Sequence, residues 1–314
     1  MAAATQPTIT SNFTGDHAGR YIAAALKNAK SLEYMTMLEN IKYKRNITTV
    51  GGDAETGKHG LVADRTCDFT AAGALTLSDK VLEPKRLQVN YKMCKGDLIK
   101  DWQALQMKPG QWNINMGADF QSFLISHVAG IIAESTENSI WSGAKATGGQ
   151  FEGFMTAGTG VFVTDAVTAA PAPTGGAYAA ATIIADLAAL LAAVPSAVYG
   201  KISEDLYMYM NPKTYRIYIN AVSAAGYVNA FSMNDSYQPY FEGVKIAVCP
   251  GLPDNMACVA LASSLMFGTD LYSDETEIKI IDESMINGSD NILVAAKFTG
   301  GVQSGIATDI TWQK

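Results

Sequence analysis

This chain is poor in the residues that do chemistry. It has three histidines, His17, His59 and His127, and four cysteines, Cys67, Cys94, Cys249 and Cys258, scattered over 314 residues. None of the cysteines forms a C-x-x-C pair and no zinc-ligand spacing appears, which argues against the common zinc sites. The thiols read as isolated groups of a reducing compartment. No G-x-S-x-G, H-E-x-x-H or G-x-G-x-x-G occurs. Nucleophile-elbow hydrolases, zinc proteases and dinucleotide enzymes therefore have no support in the sequence.

Charge is scarce too. Only 17% of residues are charged, and the net charge is −7. Lys and Arg do not cluster, so the chain is a poor generic nucleic-acid binder. The N-terminus has no basic segment followed by an apolar one, and so is not read as a signal peptide. The most membrane-like run, residues 177–194, is mostly alanine with Asp186 near its centre and Pro195 behind it. A central Asp costs about 2.5–3.5 kcal/mol on insertion scales, which alanine cannot offset. No membrane span is expected, and neither an internal repeat nor a low-complexity tail is present.

What the chain does have is 48% hydrophobic residues, enough for a sizeable core or two lobes sharing one. A long helix separates two unlike halves. Residues 1–15 read as a flexible arm. A helix capped by Asp16 follows, with Tyr21, Ile22, Ala25, Leu26 and Ala29 on one face, and helical sequence continues through Leu32, Met35 and Leu38. Residues 41–91 are polar, glycine-spotted and strand-like, with strands at 43–50, 65–70, 75–77 and 85–93. This excursion has few large apolar residues and no face of its own to bury, so it must lie on something else, such as another copy of the chain. A short helix is expected at 96–106.

The spine helix is expected over 119–141. Phe120, Phe123, Leu124, His127, Val128, Ile131, Ile132 and Ser135 form its apolar stripe, with Gln121, Ser126, Glu134 and Glu137 between them. His127 thus reads as a core histidine. Beyond it the pattern gives helices at 182–193 and 212–225, the second capped by Asn211 with Pro212 at its first position. Strands are expected at 206–210, 244–249, 258–261, 278–281, 291–298 and 305–311. This mixture is α+β.

Two motifs resolve into bland readings. Gly52-Asp53-Ala54-Glu55-Thr56-Gly57-Lys58 fits G-x-x-x-x-G-K, but His59 stands where Ser or Thr should hold magnesium. Strand-like residues follow where a helix N-terminus should meet the phosphate, so the segment reads as a loop tip. Asp270, Asp274, Glu275 and Glu277 match no calcium loop and read as a charged turn.

The order of parts resembles the major capsid proteins of tailed bacteriophages, the Hong Kong ninety-seven phage fold. The resemblance is carried by Lys85-Arg86-Leu87-Gln88-Val89 leading into Gly96-Asp97-Leu98, and by the spine end Ile140-Trp141-Ser142-Gly143. It continues in Tyr209-Met210-Asn211-Pro212-Lys213-Thr214-Tyr215, Gly243-Val244-Lys245-Ile246, Gly251-Leu252-Pro253 and Phe267-Gly268-Thr269-Asp270-Leu271. It covers almost the whole chain.

The resemblance implies an N-terminal arm with a helix (1–40), an extended β-hairpin E-loop (41–91) and a P-domain with the spine helix (92–155). An A-domain (156–284) and return strands of the P-domain (285–314) complete it. It implies a non-enzymatic subunit without cofactor or metal that self-assembles into hexamers and pentamers of an icosahedral head. Such a head encloses double-stranded DNA without sequence readout, and the subunit is made in the bacterial host cytoplasm. Self-association would involve Tyr43, Arg45, Lys58, Arg65 and Arg86. Only about forty residues precede the E-loop, so a separate scaffolding protein, or none, is expected, together with portal and decoration proteins. Lys58 lies near the loop tip, but no Asn and Glu match the isopeptide chemistry of the founding phage, so non-covalent joints are expected. The alternatives are an encapsulin-type nanocompartment shell, to which a helix at 16–30 would be suited, and more distantly an α/β nucleotide-binding enzyme using residues 52–59.

Overall fold

The computed structural model describes residues 11–13, 30–51, 76–94, 118–202, 205–225, 240–270, 278–283 and 288–314. The helices expected at 16–29 and 96–106, the strand at 65–70 and the loop at 52–59 lie outside these residues. So do Lys58, Arg65, Asp274, Glu275 and Glu277.

The first half contains β1 (Ser11–Phe13), β2 (Thr36–Leu38), β3 (Arg45–Gly51), β4 (Thr76–Leu82), β5 (Lys85–Cys94) and helix α1 (Ala118–Ser142). The second half contains α2 (Val161–Thr164), β6 (Thr168–Ala169), α3 (Ile183–Ala192), α4 (Ser196–Tyr199), β7 (Leu206–Met210) and α5 (Pro212–Ala224). It ends with β8 (Tyr240–Phe241), β9 (Val244–Val248), β10 (Ala257–Leu261), β11 (Leu265–Gly268), β12 (Ile278–Asp282), β13 (Asn291–Ser304) and β14 (Ile310–Gln313).

Two sheets carry the body. The first runs β1-β12-β13-β11-β2, with β5 also paired to β13. The long strand β13 organises it. It pairs antiparallel with β5 from Asn291↔Cys94 to Gly300↔Lys85, and with β11 from Gly301↔Gly268 to Ser304↔Leu265. Ile292, Val294, Ala296 and Phe298 alternate along β13 into the core.

The second sheet runs β6-β14-β10-β7-β9-β8. Its central strands are apolar on both faces because both faces are covered. Tyr209, Ala247, Cys258, Ala260, Ile310 and Trp312 join the spine-helix core, while Leu206, Met208, Met210, Ile246, Ala257 and Val259 pack against α3 and α5. The Asn211 side chain caps α5 by accepting from the Lys213 amide at 2.8 Å, and its amide donates to the Leu252 carbonyl. Residues 285–314 supply a strand to each sheet: β13 pairs in the first and β14 with β10 in the second.

Several local expectations are corrected. Ser11–Phe13 is a strand on β12 rather than part of a loose arm. Helical sequence does not continue to Leu38: a 3-10 turn at Lys30–Tyr34 gives way to β2, which pairs parallel with β11. The last expected strand begins later, because a 3-10 turn at Ala307–Asp309 precedes β14.

The spine is also rotated from its expected face. Ile125, Val128, Ala129, Ile132, Ala133, Thr136 and Ile140 form the buried stripe, and His127 is exposed. Glu137, expected on the polar side, is only 5% exposed. The last turns of the helix are enclosed on more than one side, and Glu137 finds partners there. It accepts from the Ser31 amide (3.1 Å), the Ser31 hydroxyl and the Gly251 amide (3.2 Å). Trp141 Nε1 donates to Ser31 Oγ at 2.7 Å. This node joins the segment before β2, the spine and the turn after β9.

Candidate functional site

Strands β3 and β4 form a two-stranded antiparallel hairpin outside both sheets, in register from Arg45↔Leu82 to Gly51↔Thr76. Alternation divides its side chains between two faces. One face carries Ile47, Lys80 and Leu82, and is held by the body. Ile41, Ile47 and Leu82 are buried together, with Leu38 and Met266 packed against them. Lys80 Nζ reaches Asp165 Oδ2 and Ser304 Oγ, both at 2.8 Å.

The opposite face carries Asn46, Thr48, Val50, Leu77, Asp79 and Val81. Val50 is 55%, Leu77 68% and Val81 48% exposed. Val50 and Leu77 are directly paired. Val50 and Leu77 form an exposed aliphatic pair, and Val81 stands beyond the polar Thr48–Asp79 pair; none of the three has cover among the described residues, and exposed aliphatic side chains set in a polar face suit an interaction surface. A two-stranded hairpin gains stability when such a face is covered.

Of the residues expected to join subunits, Tyr43, Arg45 and Arg86 are described and lie beside the hairpin root, while Lys58 and Arg65 fall outside the described residues. Tyr43 is 73% exposed and lies under Lys44 Nζ, 5.3 Å from the ring centroid. Arg45 opens β3 and is exposed; Arg86, also exposed, lies on β5 opposite Thr299. Lys44 and Glu83 pair at 3.2 Å, and this pair holds the Glu83 carboxyl below the usual carboxylate range. Sequence reasoning passed over Val50, Leu77 and Val81. Their signal was present as alternation across two short strands, but the pairing register needed to align them was not.

Metal and membrane features are not found among the described residues. No group of three His, Cys, Asp or Glu could hold a metal ion, and no described helix is long and apolar enough to cross a membrane. Burial pushes the thiols of Cys249 and Cys258 and the Tyr209 phenol up, which favours their neutral, unreactive forms.

Neither a family model nor a curated protein matches the chain by sequence. Solved structures do match. The capsid of an empty GTA particle aligns over 100% of this chain and 93% of its own, with a TM-score of 0.56 at 12% identity. This chain has the phage capsid fold. The satellite phage P4 procapsid aligns with a TM-score of 0.55 at 12% identity, covering 99% of this chain and 92% of that one. A virus-like particle from Pyrococcus furiosus aligns with a TM-score of 0.50 at 9% identity, covering 94% and 98%. Within the capsid fold, the α+β architecture expected from the sequence is present.

Proposed function

We propose that this protein is the shell subunit of a tailed-phage head, and that its hairpin docks on a neighbouring copy. The observation that carries the reading is the exposed aliphatic side chains of Val50, Leu77 and Val81 on the outer face of an element that lies outside both sheets. In this reading, residues 1–40 are the arm, 41–91 the E-loop, 92–155 the P-domain with its spine, 156–284 the A-domain and 285–314 the return strands. Tyr43, Arg45, Lys58, Arg65 and Arg86 contribute polar contacts around the docked hairpin. Subunits build hexamers and pentamers that close around double-stranded DNA, aided by a separate scaffolding protein and joined by portal and decoration proteins. The subunit is made in the bacterial cytoplasm and resides in the virion.

A virus-like particle from Pyrococcus furiosus shares the fold, so a shell other than a phage head is the second reading, and the nanocompartment is the form of it weighed from the sequence. The contents of purified particles separate the two: DNA supports the phage head, and protein cargo the compartment. The docking reading is tested by Val50→Asp with Leu77→Asp. Removing the apolar contact and burying two charges is expected to lower particle yield at least about tenfold, the equivalent of about 1.4 kcal/mol per interface. The isolated subunit should keep its circular dichroism spectrum. Wild-type assembly by the double variant would refute the docking reading.

A further inference from the structure

The hairpin is held at two places. At its root, Leu82 lies over Gly268 and Pro84 over Gly301. A Cβ on Gly268 would stand 2.6 Å from Leu82 Cδ2, and one on Gly301 would stand 3.0 Å from Pro84 Cα. These slots form a pivot, but a pivot alone leaves the direction of the hairpin undetermined. The second attachment lies two residues outward on the same face, roughly 7 Å from Leu82 along the strand, where Lys80 stands opposite the buried Ile47 and supplies the polar hold.

Lys80 bridges to two separate elements of the body. Asp165 directly follows α2, and Ser304 ends β13 opposite Leu265. The Ser304 hydroxyl accepts from Lys80 at 2.8 Å and donates to Asp165, so one buried hydroxyl completes the triangle. The side chains of Lys80 and Asp165 are 19% and 16% exposed, shielded well beyond an ordinary surface pair. Farther out, Leu77, Ser78 and Asp79 are exposed.

We propose that Lys80, Asp165 and Ser304 form a latch that sets the direction in which the hairpin leaves the body, and so determines whether it meets a second copy in the orientation a closed shell needs. The latch rests on the reading of the outer face as a docking surface. These are positioning residues: they hold the hairpin without themselves making the intersubunit contact.

The test uses the full chain. Lys80→Met and Asp165→Leu each break the latch, and Lys80→Asp combined with Asp165→Lys reverses it. Hairpin direction is read as the distance distribution between spin labels at Ser78→Cys, exposed and off the docking face, and Lys145→Cys, with Cys67→Ser and Cys94→Ser in the background and labelled subunits diluted among unlabelled ones. Assembly is read by electron microscopy and sedimentation. Each single variant should broaden the distance distribution and lower the yield of closed particles at least about tenfold, and the reversed pair should recover part of both. If Lys80→Met does not fold, Asp165→Leu, which nearly preserves size and removes the acceptor, carries the test. Narrow distributions with normal closure in the single variants would overturn the latch. Normal assembly by Val50→Asp/Leu77→Asp would instead remove the docking reading beneath it, even where the latch variants broaden the distances.

Discussion

Replacing Glu137 with Gln tests how the spine is tied to the rest of the body. The Glu137 carboxylate accepts from two backbone amides, Ser31 through one oxygen and Gly251 through the other, and the Ser31 hydroxyl shares the Gly251 side. Gln has one acceptor oxygen and one NH₂ donor. Whichever way the amide is turned, its NH₂ faces one of the two backbone N–H groups. The variant therefore loses a charge-assisted hydrogen bond and leaves a buried donor unpartnered, together about 2–4 kcal/mol. With an unfolding entropy of roughly 2.1 cal/mol/K per residue, this lowers Tm by about 3–6 °C for a chain of this length. Differential scanning calorimetry of the subunit measures it, with Ser31→Ala as the companion, which also removes the acceptor of Trp141 Nε1. A Glu137→Gln subunit as stable as wild type would refute the reasoning, since it would mean that the two amides do not depend on this carboxylate.

Gly251→Ala should be more damaging, because the added Cβ would lie 2.2 Å from the Glu137 carbonyl oxygen, a backbone atom of the spine that has little room to move. The expected loss is at least about 1–3 kcal/mol, read as a fall in Tm or in soluble yield; unchanged Tm would contradict the packing described. Alkaline pH should also destabilise the subunit. Burial raises the thiols of Cys249 and Cys258 and the Tyr209 phenol, so the unfolded chain releases these protons first, from about pH 8.5 for the thiols and about pH 10 for the phenol. Stability is then fully present below those values and declines as pH rises above them; a Tm at pH 10 equal to or above that at pH 7.5 would contradict this.

Much of the fold was legible in the sequence. The spine, β7, β9, β10 and α5 with its Asn211 cap announce themselves through periodicity and capping chemistry, which are local, whereas the short β6 and β8 do not. Local pattern misleads where long-range packing decides. Leu38 follows a helical pattern but is recruited into a strand by β11. Glu137 looks like a solvated face residue, and only the approach of Ser31 and Gly251, 106 and 114 residues away, makes it a core acceptor. His127 falls outside because the spine stripe is set by what packs against it. At the candidate site, the scarcity of large apolar residues in 41–91 was readable, whereas the two-faced hairpin and its attachment through Lys80 depend on register and on residues 85 and 224 positions away.

The central claim is that copies of this chain close into a shell. Electron microscopy of the purified full-length protein, after size-exclusion chromatography at several concentrations, tests it most directly. The account predicts closed shells, capsomer rings or tubes, with DNA in particles recovered from infected cells. A strictly monodisperse monomer at every concentration that also binds nucleotide, with binding lost in Lys58→Ala, would contradict it.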